Sequence, residues 1–455
     1  MSRRLPAPVF ADWVSRVPPE WDVERLGNVA EILFSNVDKH TNDGEVPVRL
    51  CNYVDVYKND RITDDIDFME ASADDREIAR FQIHRNDVLA TKDSETPDDI
   101  AIPSLVAEEL PGVLCGYHLA LIRPLRNRAH GPYLAWLHSC KSFRAHYESQ
   151  AVGVTRFGLS QAAFKEARVP LPSLSEQERI ADYLDNSCAA IDAAVTAKRG
   201  QLETLDALRK TIMQRAVTRG LSENAQLKTT GNAWMKSIPQ GWRLICLKRI
   251  AEIQGGLTLG KQYEGKLIER PYLRVGNVQD GHLDLEDVSV IELPESVAAG
   301  VELRPDDVLM TEGGDLDKLG RGHLWHGEIA GCLHQNHIFA VRCFRHKLMP
   351  MFLAYVTASQ YGRDYFEATG KKTTNLACTN ATKVGEFPIP MPQLEEQKAI
   401  CAYLDEKLGE VKGIVTTIEA QIAKLIAYRK SLIHECVTGQ RRVTEAILNQ
   451  VKAYG

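Results

Sequence analysis

The chain lacks most of what a membrane protein or an enzyme would need. Its 455 residues contain no apolar run of about 18, and mean hydropathy is −0.25, so no spanning helix is expected. The basic start Met1-Ser2-Arg3-Arg4 leads into Pro6, Pro8, Asp12 and Trp13 instead of an apolar secretion core, so a soluble, cytoplasmic protein is expected. Ten cysteines occur at ordinary density and none forms a Cys-x2-Cys pair, which predicts reduced thiols over a disulfide framework or a zinc site. Neither Asn-Pro nor Asp-Pro occurs, so the Asn-Pro-Pro-Tyr and Asp-Pro-Pro-Tyr boxes are missing, and no Gly-rich strand-to-helix fingerprint for a dinucleotide or methyl donor appears. Gly370-Lys371-Lys372-Thr373-Thr374 resembles a phosphate loop, but the earlier glycine it requires is Tyr365. A Pro-Asp…Glu-x-Lys nuclease pattern is also absent after Pro97-Asp98 and Pro305-Asp306. Positive charge is not in excess either. The net charge is −6, so any binding to nucleic acid must come from local charge.

What the chain does have is itself, twice. Pro172-Ser173-Leu174-Ser175-Glu176-Gln177-Glu178-Arg179-Ile180-Ala181-Asp182-Tyr183-Leu184-Asp185 recurs 220 residues later as Pro392-Gln393-Leu394-Glu395-Glu396-Gln397-Lys398-Ala399-Ile400-Cys401-Ala402-Tyr403-Leu404-Asp405, with eight of fourteen positions identical. Near the start of each copy, Val17-Pro18-Pro19-Glu20-Trp21 returns as Ile238-Pro239-Gln240-Gly241-Trp242. Weaker echoes lie between them. Arg49, Asn52 and Asp55 match Arg274, Asn277 and Asp280; Asp87-Val88-Leu89 matches Asp307-Val308-Leu309; His118 and Arg123 match His337 and Arg342. The chain is one unit of about 220 residues, duplicated, with similar ends and divergent middles.

Each copy has a mixed half and a helical half. Residues 13–170 carry short Val/Ile/Leu/Tyr runs broken by Gly, Pro, Asn and Asp, which predicts sheet with a few helices. After Pro170-Leu171-Pro172, Ser175 and Glu178 fit a capping box. Apolar residues then recur at intervals of four and three: Leu184, Cys188, Ile191, Val195, Lys198, Leu202, Leu205, Arg209, Ile212 and Ala216. The second copy repeats the row as Leu404, Leu408, Val411, Val415, Ile418, Ile422, Leu425, Arg429, Leu432 and Cys436. Both rows are coiled-coil seams, and Arg209 and Arg429 interrupt them at the same place, which suggests a paired register feature. Two amphipathic helices, each packed on its own domain, are the alternative. A helix of about 40 residues runs roughly 60 Å, more than a 150-residue domain covers, and that favours pairing of the two helices.

The expected fold is α+β: two pseudo-twofold-related α/β domains separated by two long antiparallel coiled-coil helices. The expected segments are 1–170 (first domain), 171–220 (first spacer helix), 221–237 (polar linker), 238–387 (second domain), 388–440 (second spacer helix) and 441–455 (a tail whose place is open).

Charge is segregated within the first domain. Between Asp55 and Glu109 stand 16 acidic and 6 basic residues, which excludes that stretch as the main phosphate face; between Pro111 and Pro170 stand 8 basic and 2 acidic ones. The loop Ala151-Val152-Gly153-Val154-Thr155-Arg156 is in register with Gly370-Lys371-Lys372-Thr373-Thr374-Asn375. Small, hydroxyl-bearing, basic loops suit phosphate and base-edge contact, although a solvated surface loop has the same composition. The candidate DNA contacts are Lys92 and Ser94, which follow the Asp87-Val88-Leu89 strand, with Arg156, Arg321, Lys371, Lys372, Thr373 and Asn375. Gly313-Gly314 and Gly320-Arg321-Gly322 would let backbone approach DNA, or serve as ordinary hairpin turns. His323, His326, Cys332, His334 and His337 are dense, but their spacing fits alternating hairpin positions better than a zinc site.

Ile238-Pro239-Gln240-Gly241-Trp242, Leu303-Arg304-Pro305-Asp306-Asp307-Val308-Leu309, Gln335-Asn336-His337-Ile338-Phe339 and Pro388-Ile389-Pro390-Met391-Pro392-Gln393-Leu394-Glu395-Glu396-Gln397, with their first-copy counterparts, resemble the specificity subunits of type I restriction-modification systems. The resemblance covers essentially the whole chain. It implies two target recognition domains, each reading half of an asymmetric bipartite site in double-stranded DNA, and a coiled coil that sets the gap. It further implies docking of two adenine-methyltransferase subunits, joined in turn by restriction (motor) subunits. The chain itself would then be non-catalytic and without cofactor, S-adenosylmethionine, ATP and Mg being used by the partner subunits. Half-sites on one face of the duplex lie about one turn, roughly 10 bp, apart. A pure assembly scaffold that does not bind DNA is the alternative, mildly favoured by the acidic balance.

Overall fold

The computed structural model describes residues 16–454 apart from 280, 315–318, 321 and 373–376. The chain divides into two compact units, one of residues 1–198 and 420–455 and the other of residues 199–419. The division falls inside both long helices, Leu174–Arg219 and Leu394–Val437, so each helix is shared between the units and neither forms a separate segment.

In the first unit a five-stranded sheet has at its centre Val88–Thr91, flanked by Leu119–Pro124 and Pro103–Val106. These strands read as near-continuous apolar runs because both faces are covered. One face packs on the helices Gly131–Ser139 and Lys141–Gln150 through Tyr133, Leu137, Phe143 and Tyr147; the other covers a second core of Leu50, Val56, Phe81, Leu89 and Leu121. The second unit repeats the plan with a four-stranded sheet, in which Val308–Thr311 pairs with Ile338–Cys343 and Gly322–Leu324.

The matched Asp and Arg residues lock these sheets. Asp87, almost wholly buried, receives Arg123 Nη2 at 2.8 Å, and the same nitrogen donates to Gln82 O at 2.7 Å. In the second unit Arg342 Nε reaches Asp307 at 3.0 Å and its Nη2 donates to Glu302 O at 2.9 Å. Each aspartate also accepts a backbone amide, from His84 and from Arg304, both at 2.9 Å. The preceding residues, Asn86 and Asp306, take the left-handed conformation at φ 76° and 71°. This shared geometry accounts for the echo in the sequence.

The repeated Leu-x-Glu-Gln start of the long helices has an equally direct cause. Gln177 is wholly buried: its Oε1 accepts from His130 N at 2.8 Å, and its Nε2 donates to Pro172 O (2.9 Å) and Arg128 O (3.2 Å). Gln397 accepts from Met349 N at 2.9 Å and donates to Lys347 O (2.9 Å) and Pro392 O (3.1 Å). One side chain thus ties the helix start to the loop ahead of the domain's packing helix. The cap itself differs from expectation. The helix begins at Leu174, and Ser173, not Ser175, presents its hydroxyl to Glu176 N at 3.4 Å.

In the first unit, residues 174–198 pack antiparallel to residues 420–437. Leu184, Cys188, Ile191 and Val195 join one core with Leu432, Ile433 and Cys436, while Ile422 and Leu425 pack against it. Lys198 Nζ meets Gln421 at 2.6 Å and Arg429 Nε meets Asp192 at 3.1 Å. In the second unit Met213, Ala216 and Val217, with Ile212 alongside, pack on Ile400 and Leu404, and Leu408 lies beside them. Val411 and Ile418 are buried; Leu202, Leu205 and Val415 are half-buried.

The two seam arginines are not equivalent. Arg429 bridges Asp192 and Asp60 and lies 5.6 Å from the Trp136 ring, whereas Arg209, among the described residues, bonds only Asp206 of its own helix, at 3.2 Å. The residue matching Asp192 is Lys412, a cation that offers Arg209 nothing. The expected linker is also more ordered than a tether, since Leu227–Thr229 pairs with Ser237–Pro239 as a hairpin. The tail forms the helix Glu445–Tyr454 on the first unit, where Lys452 meets Asp182 at 2.8 Å and Arg442 meets Glu20 at 2.7 Å. All ten cysteines are unpaired.

Candidate nucleic-acid interface

Each unit carries a small three-stranded sheet beside its main one. In the first unit the hairpin Val152–Gly153/Phe157–Gly158 adds to Asp93–Ser94, with Phe157 opposite Ser94 and Gly158 opposite Asp93. Gly153 is required here, because a Cβ at this position would fall 1.9 Å from Arg156 O. In the second unit Lys371–Lys372 pairs with Ala377–Cys378, which pairs with Gly313–Gly314. The sequence register between the two loops is therefore a structural equivalence.

The acid-rich and basic segments of the first unit meet in this sheet. Nitrogen atoms stand close to Asp93: His118 Nδ1 at 2.8 Å and Lys92 Nζ at 3.3 Å, while Arg156 Nη2 lies 3.3 Å from that same histidine nitrogen. A carboxylate of the acidic stretch therefore stands within the small sheet that carries the basic hairpin. The second unit repeats the pair as His337 Nδ1 to Glu312 at 2.7 Å, with the carboxylate one position earlier.

Two expected contacts point inward. The Lys92 side chain is only 12% exposed, lying 4.6 Å from the Tyr117 ring and 5.5 Å from Phe34, with Asp93 as its counter-ion. Ser94 is buried beneath the hairpin. Both shape the site from behind, and what faces solvent is different. Val152 and Val154 are 80% and 91% exposed, and in the same unit Tyr117, Val54 and Tyr57 are each about half exposed. Tyr53 stacks on Tyr57 at 5.6 Å, and the Asp99 carboxylate accepting from the Tyr57 hydroxyl at 2.8 Å holds that phenol above its ordinary range. A cavity of about 300 Å³ opens between Val37, Lys39, His40, Tyr53, Tyr117 and His118. None of these aromatic or valine positions stood out in the sequence, because the exposure of each depends on strands distant in the chain.

Lys371 is exposed in the second unit, and Lys372 lies on the same strand. Arg321, Thr373 and Asn375 lie outside the described residues. The histidine-rich stretch has ordinary partners: His334 Nδ1 meets Ile338 O at 2.8 Å, Cys332 Sγ faces Leu333 O, and His337 holds Glu312. Among the described residues no three His, Cys, Asp or Glu side chains converge as metal ligands, and no helix is long and apolar enough to cross a membrane.

Comparison with known proteins bears on what such paired surfaces are for. Residues 18–204 match the model of the type I restriction modification DNA specificity domain. These residues belong to that family. Over 439 residues the chain is 24% identical to the type I restriction enzyme MjaVIII specificity subunit of Methanocaldococcus jannaschii, covering 94% of each chain. It is 22% identical over 341 residues to the EcoKI specificity subunit of Escherichia coli K12, covering 72% of this chain and 68% of that one. In fold it is similar to a solved structure described as the structural basis of complex assembly and conformational transition of the type I R-M system (TM-score 0.71, 19% identity, 92% and 98% covered). The HsdS subunit from Thermoanaerobacter tengcongensis is a second (TM-score 0.56, 19% identity, 93% and 98% covered). The matched specificity domain contains the whole first-unit sheet, from Asp93 to Gly158.

Proposed function

We propose that this chain is the DNA specificity subunit of a type I restriction-modification complex, in which each unit reads one half of an asymmetric bipartite site. The observation that carries the reading is the paired three-stranded sheet. The same backbone frame, backed by the same histidine–carboxylate pair, displays different solvent-facing side chains in the two units: Val152 and Arg156 in one, Lys371 in the other. A conserved frame with exchanged tips is what two readers of two different short sequences require. The long helices, each shared by both units, set the gap and dock two methyltransferase subunits, through which restriction subunits join. The chain performs no chemistry; S-adenosylmethionine, ATP and Mg act in its partners, and the complex works in the cytoplasm.

The test is single-molecule mapping of N6-methyladenine across the host genome with and without the gene. Loss of one motif, two short half-sites around a fixed gap, is the expected result. If methylation does not change and the purified chain brings down no methyltransferase subunit, the specificity reading fails and an assembly scaffold replaces it.

A further inference from the structure

Resting on the specificity reading, we propose that the first unit reads the C5-methyl group of a thymine in the major groove through Val152 and Val154. The turn that joins the two hairpin strands is built by Gly153 and closed against Arg156, and neither valine contributes to a core. Gly, Asn, Asp and Ser dominate such turns because their backbone or side chain suits the bend; a β-branched aliphatic has no such use. One exposed valine is unremarkable on a protein surface. Here Val152, on the hairpin strand, and Val154, two residues on in the turn, are 80% and 91% exposed.

The duplication supplies the internal comparison. The position of Val152 is taken in the second unit by the exposed Lys371, on the matching strand of the matching sheet. The frame has been kept while an aliphatic tip has been exchanged for a cationic one, so the tip chemistry varies independently of the fold. Among the four base pairs, the thymine C5-methyl is the apolar feature displayed in the major groove, and aliphatic side chains are its complement. Arg156, whose Nη2 lies 3.3 Å from His118 Nδ1, stands two residues beyond Val154 and supplies a cation to the same stretch of duplex.

Deoxyuridine differs from thymidine by that methyl alone, which makes the test specific. The complex of this chain with its methyltransferase subunits is purified, and the duplex it recognises, defined by methyladenine mapping, is resynthesised with deoxyuridine at one thymine at a time. Removing one buried methyl should raise Kd about fourfold at one or more positions of one half-site. The doubly substituted chain, Val152→Ala with Val154→Ala, should bind the thymine and uracil duplexes equally well. A half-site pair without thymine, indifference to uracil at every position, or discrimination that survives in the double variant would overturn the proposal. In each of those cases sequence-specific binding by the wild-type complex leaves the specificity reading standing, whereas absence of any sequence-specific binding removes both. If the double variant loses its methyltransferase subunits on gel filtration while the wild-type complex ignores uracil, the valines face a protein and the methyl contact is refuted. Thermal melting of the double variant, expected at the wild-type temperature, shows that the comparison is made on folded protein.

Discussion

Replacing Gln397 with alanine removes three hydrogen bonds from a side chain that has no exposed surface. The Met349 amide is left without its acceptor, at about 1–3 kcal/mol, and the Lys347 and Pro392 carbonyls each lose a donor at a smaller cost. The space vacated adds about 1 kcal/mol. The sum, about 3–5 kcal/mol, is a large share of the roughly 5–15 kcal/mol that holds a domain together. Gln177→Ala should cost the first unit a similar amount, since His130 N, Arg128 O and Pro172 O lose the same contacts. Glutamate should not rescue either position: it can accept from the amide, but its second oxygen would face two carbonyl oxygens. Urea unfolding at neutral pH, followed by circular dichroism and tryptophan fluorescence, measures the effect. Each variant should shift the transition of its own unit, reported by Trp21 and Trp136 in one and by Trp242 in the other. A loss below about 1 kcal/mol, or a glutamate variant as stable as wild type, would refute the argument that these side chains fasten the long helices to their domains.

Three further outcomes are expected. Lys371→Ala should lower the slope of log affinity against log salt by about one phosphate contact, as read by fluorescence anisotropy from 50 to 200 mM salt; an unchanged slope would count against this strand as a DNA contact. Arg429→Ala should cost about 1 kcal/mol, since it removes the pairs to Asp192 and Asp60 and the approach to Trp136, while Arg209→Ala should stay within about 0.5 kcal/mol; equal effects in urea unfolding would contradict the asymmetry of the two seams. Burial pushes the imidazole of His138 down to about 4, so the folded state resists a proton that the unfolded chain accepts below about 6.5. The neutral histidine's contribution is therefore complete above pH 6.5 and is lost as pH falls toward 4, by about 2 kcal/mol at pH 5; His138→Phe should show a shallower acid dependence, and an unchanged profile would assign the loss to other groups.

How far the sequence alone carries depends on which problem a residue solves. Gln177 and Gln397, Asp87 and Asp307, Arg123 and Arg342 solve the same packing problem in both units, so duplication displays them as echoes, and the α+β units with paired long helices follow from them and from the seam spacing. The site was less visible, because its residues are defined by what lies across from them. Lys92 has the composition of a phosphate contact, yet Phe34, Tyr117 and Asp93 close around it from three separate parts of the chain. The acid-rich segment has too many carboxylates for a main phosphate face, yet it places Asp93 beside Lys92 and His118 in the small sheet that carries the basic hairpin. Val152 and Val154 sit in a loop whose basic and hydroxyl-bearing residues are the ones its composition singles out, and their exposure follows from the folded hairpin. The two classes differ for one physical reason. A frame residue is constrained by the protein's own backbone and so recurs, whereas under the proposed function a reading residue would be constrained by a ligand that differs between the units and so would diverge. Within the duplicated sheet, the positions that fail to repeat are therefore the ones to test for sequence recognition, beginning with Val152 against Lys371.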